Sequence, residues 1–275
     1  MFQRLGRSWE LTKQCWALLA KNKVLVLFPI LSGLASLFIV VSFVVPIFMS
    51  GGAQQLAHRE TATPGTYLMT FMLYFCLYLV QTFFSCALMA SANVAFSGGE
   101  ASLGVGLSLA WARFGRIMVW AAVAATVGMV LRTIQERVGL VGRIVVALMG
   151  AAWTILTYFM GPIIVFEDLG VSDGLARSTA MIKKTWGEGM GKGLTFAALT
   201  LVAMAGLVVG FFVLMAVSPI VAVLFLLFGI IAVATVTSAM DGIFKVALYR
   251  YACWNMVPEG FSPELVQGAF LAKKK

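Results

Sequence analysis

Six runs of apolar residues, at about 24–49, 67–96, 116–132, 141–166, 194–217 and 219–247, are separated by shorter polar stretches. Each is near or above the ~20 residues that a helix needs to cross a hydrocarbon core. The runs are continuous rather than alternating, so they predict six transmembrane helices and no strands. Pro29, Pro46 and Pro162 fall near span ends, where a missing backbone donor is tolerated, and Ser218-Pro219 marks a tight turn between the last two runs.

The longest polar interruption runs from Glu167 to Gly193. Ser172 is placed to cap a helix over Asp173 to Trp186. Leu175, Thr179, Ile182 and Trp186 share one face of it, and Arg177, Lys183 and Lys184 lie off that face. A short helix with a Trp-ended apolar stripe and a basic remainder, set between two spans, is expected to lie in the membrane interface. The pattern recurs 170 positions earlier, where Arg7-Ser8, Lys13 and Trp16 match Arg177-Ser178, Lys183 and Trp186, and Leu5, Trp9, Thr12 and Trp16 form the corresponding face. An apolar span opens at Val24 after one copy and at Leu194 after the other, as a repeated helix-plus-span unit would. A weaker third copy covers Ser102 to Phe114, with Leu103, Leu107, Ala110 and Phe114 on one face. The alternative is that any cytoplasmic segment entering a membrane acquires this pattern.

Composition agrees with the pattern. With 61% hydrophobic and 11% charged residues and a mean hydropathy of +0.97, the chain has too few charges for a soluble domain, which carries about 25%. The net charge of +9 is scattered between apolar runs rather than massed on one soluble face, so nucleic acid is not expected and anionic lipid is the expected counter-charge. Sixteen lysines and arginines fall on segments that share a side with the N-terminus, against Arg59, Arg132, Arg137 and Arg143 on the other, and this bias places both termini in the cytoplasm. The expected fold is an all-α membrane protein, one polytopic domain over 1–275. Its six spans form three outward-and-back hairpins, each entered through an amphipathic helix on the inner leaflet. The first run is too long for a signal-peptide core and is read as a retained anchor.

The stretches GPIIVFED and GLARSTAMIKKTW, between Gly161 and Trp186, and FKVALYRYACWNMVPEGF, from Phe244 to Phe261, resemble an uncharacterised family of bacterial six-span integral membrane proteins. That family is distantly similar to the membrane-anchoring domain of some glycerophosphodiester phosphodiesterases. The resemblance implies a multi-pass fold in the plasma (inner) membrane and no established activity. The phosphodiesterase reaction does not carry over, because the spans leave no room for its catalytic barrel.

Catalytic chemistry is sparse. His58 is the single histidine and reads as a solvated loop residue beside Arg59 and Glu60. Cys15, Cys76, Cys86 and Cys253 stand singly and read as packing residues, not as a disulfide framework or metal site. Gly187, Gly189, Gly191, Lys192 and Gly193 superficially resemble a phosphate loop. Trp186 stands where its first Gly belongs and Gly193 where its Ser/Thr belongs, so the stretch reads as a hinge. Glu167, Asp168 and Asp173 could hold a divalent ion, but acids in this setting more often pair with nearby Lys and Arg. Within the spans the polar positions are Gln81, Asn93 and the Asp241–Lys245 pair at i, i+4. Gln81 is expected to bond helix to helix. Gly206-x-x-x-Gly210, Ala121-x-x-x-Ala125, Ala147-x-x-x-Ala151 and Ala87-x-x-x-Ser91 offer small-residue faces for close packing.

No catalytic residue, cofactor or metal is expected. The lipid-interface residues are Arg7, Lys13, Trp16, Arg177, Lys183, Lys184 and Trp186. The expected role is non-enzymatic: membrane organisation, or assistance to transport or envelope lipid handling. A cytoplasmic protein partner and a homo-oligomer remain open, and the alternative is a small pore or carrier.

Overall fold

The structure is a computed structural model that describes the backbone of residues 2–49, 64–186 and 193–254, and the side chains of residues 12–49, 64–183 and 200–254. Among the described residues all regular structure is helical. In chain order the helices are α1 (Phe2–Lys21), α2 (Leu27–Met49), α3 (Pro64–Phe96), α4 (Leu103–Ala112), α5 (Phe114–Arg137), α6 (Leu140–Leu156), α7 (Met160–Phe166), α8 (Val171–Trp186), α9 (Gly193–Met215) and α10 (Pro219–Trp254), with a short 3₁₀ turn at Lys23–Val26. Five segments of the described residues are long and apolar enough to cross a membrane: Lys23–Met49, Pro64–Phe96, Phe114–Arg137, Leu140–Phe166 and Pro219–Trp254. The sixth expected span coincides with α9, whose side chains are described only from Thr200 on. Phe38, Phe48, Leu148, Phe212 and Phe228 are 65% to 74% exposed, an arrangement that suits hydrocarbon and not water.

Pro64 and Pro219 each occupy the first position of a helix, where a fixed φ helps and the missing N–H costs nothing. At the other end of α3, Gly98 has φ 79°. Gly99 N–H donates to Val94 O at 3.0 Å and Gly98 N–H to Ala95 O at 3.2 Å, so a left-handed glycine closes the helix and satisfies its last carbonyls.

The expected span 141–166 is not one helix, and Pro162 supplies the reason. In an unbroken helix it would leave the Tyr158 carbonyl without a donor and press its ring against that group. Restarting the helix at Met160 puts Pro162 in a first turn, where no backbone donor is required. The break at residues 157–159 closes through Tyr158 N–H to Ile155 O (3.1 Å) and Met160 N–H to Thr157 O (3.0 Å). Leu156 O and Phe159 N find no backbone partner there. Ser178 Oγ serves both, donating to Leu156 O at 2.6 Å and accepting from Phe159 N–H at 3.2 Å. Ser178 and Phe159 are wholly buried, so this hydroxyl satisfies an N–H that no solvent could reach and, beside it, the last carbonyl of α6.

The chain divides into two compact units, residues 30–87 with 104–179, and residues 1–29 with 88–103 and 180–275. In the first, α5 and α6 pack together. Ala121 and Ala125 are fully buried in this unit, and Trp120 stacks on Trp153 with centroids 5.8 Å apart. Ala147 and Ala151 are exposed, so that small-residue face has no helix against it among the described residues. In the second unit α9 and α10 pack along their length, and α1 packs on both. A Cβ on Gly210 would lie 2.7 Å from Phe225, but one on Gly206 would meet nothing, so only half of that glycine pair faces a neighbour.

Candidate functional site

Helix α8 forms over nearly the expected residues but starts and faces differently. Gly174 N–H donates to Gly170 O at 2.8 Å, so Gly170 holds the cap position assigned to Ser172, and Ser172 falls in the first turn beside Asp173. Its buried residues are Gly174, Ser178, Met181 and Ile182, while Leu175 and Thr179 are only half-buried. The face turned inward is therefore centred on small residues, one position back from the predicted stripe. The cause is local: a Cβ on Gly174 would come within 3.3 Å of Ile163 and 3.4 Å of Met160, so α8 lies too close to α7 for a large side chain there. The N-terminal copy turns the same way. Thr12, Cys15 and Leu19 are buried, and Trp16 is 54% exposed.

The cations of these helices differ in availability. Lys183 and Lys13 are exposed. Arg177 Nε already meets Glu167 Oε1 at 3.3 Å. The side chains of Arg7, Lys184 and Trp186, together with His58 and the glycine stretch from Gly187 to Lys192, lie outside the described residues.

Glu167 and Asp168 form the centre of an arginine cluster. Arg113 Nη1 lies 3.0 Å from Asp168 Oδ1, Arg116 Nη2 pairs with the same oxygen, and Arg116 Nη1 donates to Glu167 O at 2.7 Å. Three guanidiniums thus meet Glu167 and Asp168, two of the three acids expected to pair with nearby Lys and Arg. Asp168 is 81% exposed, so each ion pair there adds at most about 1 kcal/mol. The cluster's use is positional, since Arg116 also satisfies the carbonyl that ends α7.

A second cluster joins residues that the sequence alone did not connect. Arg250 Nη1 donates to Asn93 Oδ1 at 2.8 Å, to Ser97 Oγ at 3.0 Å and to Asn93 O at 3.3 Å. Its guanidinium carbon is 6.0 Å from the Phe96 centroid and 5.6 Å from that of Trp254. The carbonyl end of α3 carries partial negative charge, which favours a cation at this point. Arg250 therefore fastens α10 to the end of α3 from 157 positions away. Asn93 stood out as a polar residue in a span; its partner counted only as one more basic residue.

The remaining polar positions are simpler. Lys245 Nζ and Asp241 Oδ2 are 2.6 Å apart, one helical turn along α10. Gln81 is exposed and forms no hydrogen bond with a described residue, so the expected helix-to-helix bond is not seen. All four cysteines are free. Burial, assisted by the Asp241 carboxylate, pushes the Cys15 thiol up, which keeps it protonated and unreactive at neutral pH. Cys253 Sγ rests 3.9 Å from Met181 Sδ.

No curated protein and no solved structure matches the sequence, so the likeness to the membrane domain of glycerophosphodiester phosphodiesterases has only its short motifs behind it. The sequence matches a family of unknown function, DUF6159, over residues 65–257, from the start of α3 to just past the end of α10, and the chain belongs to that family.

Proposed function

We propose that this is a non-enzymatic six-span protein of the plasma membrane, with both termini cytoplasmic, whose basic amphipathic helices hold anionic lipid at the inner leaflet. Its role is to organise the membrane around it, or to assist transport or envelope lipid handling with a cytoplasmic protein partner. The observation that supports this most is the division of labour on α8: small residues turn inward on α7 while Lys183 stays exposed. Helix and cation are thus held by the protein rather than by lipid, ready to meet a headgroup. Arg177 contributes less than its charge suggests, because Glu167 already neutralises it.

Full-length protein in mixed vesicles, probed with spin-labelled phosphatidylglycerol and phosphatidylcholine, tests the reading. The anionic probe is expected to associate preferentially. Lys183→Gln and Lys184→Gln should each weaken that preference by roughly 5-fold, from about 1 kcal/mol per cation near the surface, and Arg177→Gln should do less. Raising the salt should erase the difference. Equal association of the two probes with the unaltered protein would rule the lipid-holding role out.

A further inference from the structure

Arg250 is only 8% exposed, yet the described residues hold it through Nη1 alone. Nη2 and Nε make no hydrogen bond with a described residue, and Nε is closed off from solvent. No carboxylate of a described residue pairs with it. Asn93, Ser97 and the rings of Phe96 and Trp254 steady the cation, but none of them carries a net charge. A buried guanidinium without a neutralising partner is costly. With Nε closed off, Nη2 is left as a charged donor that suits an oxyanion.

We propose that Nη2 of Arg250 binds one phosphate group, either of an anionic phospholipid headgroup or of free phosphate. Arg250 lies four residues before the end of α10, so the phosphate can come from a headgroup beside that end of the helix or from solution. The headgroup source rests on the membrane reading above; the free-phosphate source does not.

The test is a thermal-shift titration of the full-length protein in a neutral detergent. The probes are dihexanoyl phosphatidylglycerol and inorganic phosphate, with chloride at matched ionic strength as the control. The unaltered protein should be stabilised by one or both phosphate probes and not by chloride. Arg250→Lys keeps the charge but has one nitrogen in place of the separate Nη1 and Nη2, and should weaken the response on the order of 10–100-fold; Arg250→Met should abolish it. Response to the lipid alone identifies the headgroup, and an equal response to inorganic phosphate identifies free phosphate. If Arg250→Met does not fold, Arg250→Lys decides. The proposal is overturned if neither probe stabilises the unaltered protein, or if Arg250→Lys responds as well as it does. It is also overturned if Glu259→Gln with Glu264→Gln destabilises the unaltered protein but not Arg250→Met, since a carboxylate of the chain would then be the counter-charge. Lys183→Gln with Lys184→Gln separates the two readings, because it should lower vesicle selectivity and leave the phosphate response in place.

Discussion

Ser178→Ala should lower the unfolding midpoint of the purified protein by several degrees. The substitution removes one hydroxyl but leaves two backbone groups without their partner, the buried Phe159 N and the part-buried Leu156 O. Orphaning buried polar groups costs about 1–3 kcal/mol, and a chain of this size loses roughly 2–4 °C per kcal/mol. Ser178→Val should be worse, because it adds bulk at a fully buried site against α6 and α7. The measurement is thermal unfolding in detergent, followed by circular dichroism. An unchanged midpoint for both variants would mean that the break at residues 157–159 does not depend on Ser178.

Gly242→Val is the second large effect. A Cβ at Gly242 would lie 2.3 Å from Leu88 Cδ2, and Leu88 is itself buried, so its side chain has nowhere to swing. Forcing the two apart should cost about 1–3 kcal/mol, outweighing the ~1 kcal/mol that replacing a helical glycine returns. Gly206→Ala is the control. Nothing lies within 4 Å of a Cβ there, so that variant should be neutral or slightly more stable. Loss of stability at Gly206 with none at Gly242 would show that the helices pack on different faces.

These two glycines show what the sequence can and cannot disclose. A pair of small residues four apart drew attention to Gly206, yet whether a glycine faces a helix or lipid depends on which element lies across from it. Gly242, with Ser238 four residues before it, was not singled out and nonetheless makes the closer approach. The helices themselves were legible because an apolar run of about 20 residues has few alternatives, and Ser218-Pro219 fixed one turn outright. The broken span was legible in principle, since Pro162 stood inside it, but the cost of a proline is unknown until its place in a turn is known. The face of α8 was misread for a related reason. Periodicity ranks apolar residues inward, whereas close packing on α7 ranks small ones inward, and Ser178 goes in because two backbone groups call for it. Arg250 was invisible as a site because Asn93 and Ser97 come from a helix far away in the chain.

The central claim, that α8 and its lysines lie on the cytoplasmic side of a protein whose spans run out and back, is tested most directly by labelling. Single cysteines are introduced at positions 58 and 180 of a chain whose own cysteines have been replaced, and intact cells and inverted vesicles are treated with a membrane-impermeant maleimide. Ala180 is exposed on α8, so its replacement should be reachable without disturbing the fold. The account predicts labelling of position 58 only from outside and of position 180 only from inside; labelling of position 180 from outside would contradict it.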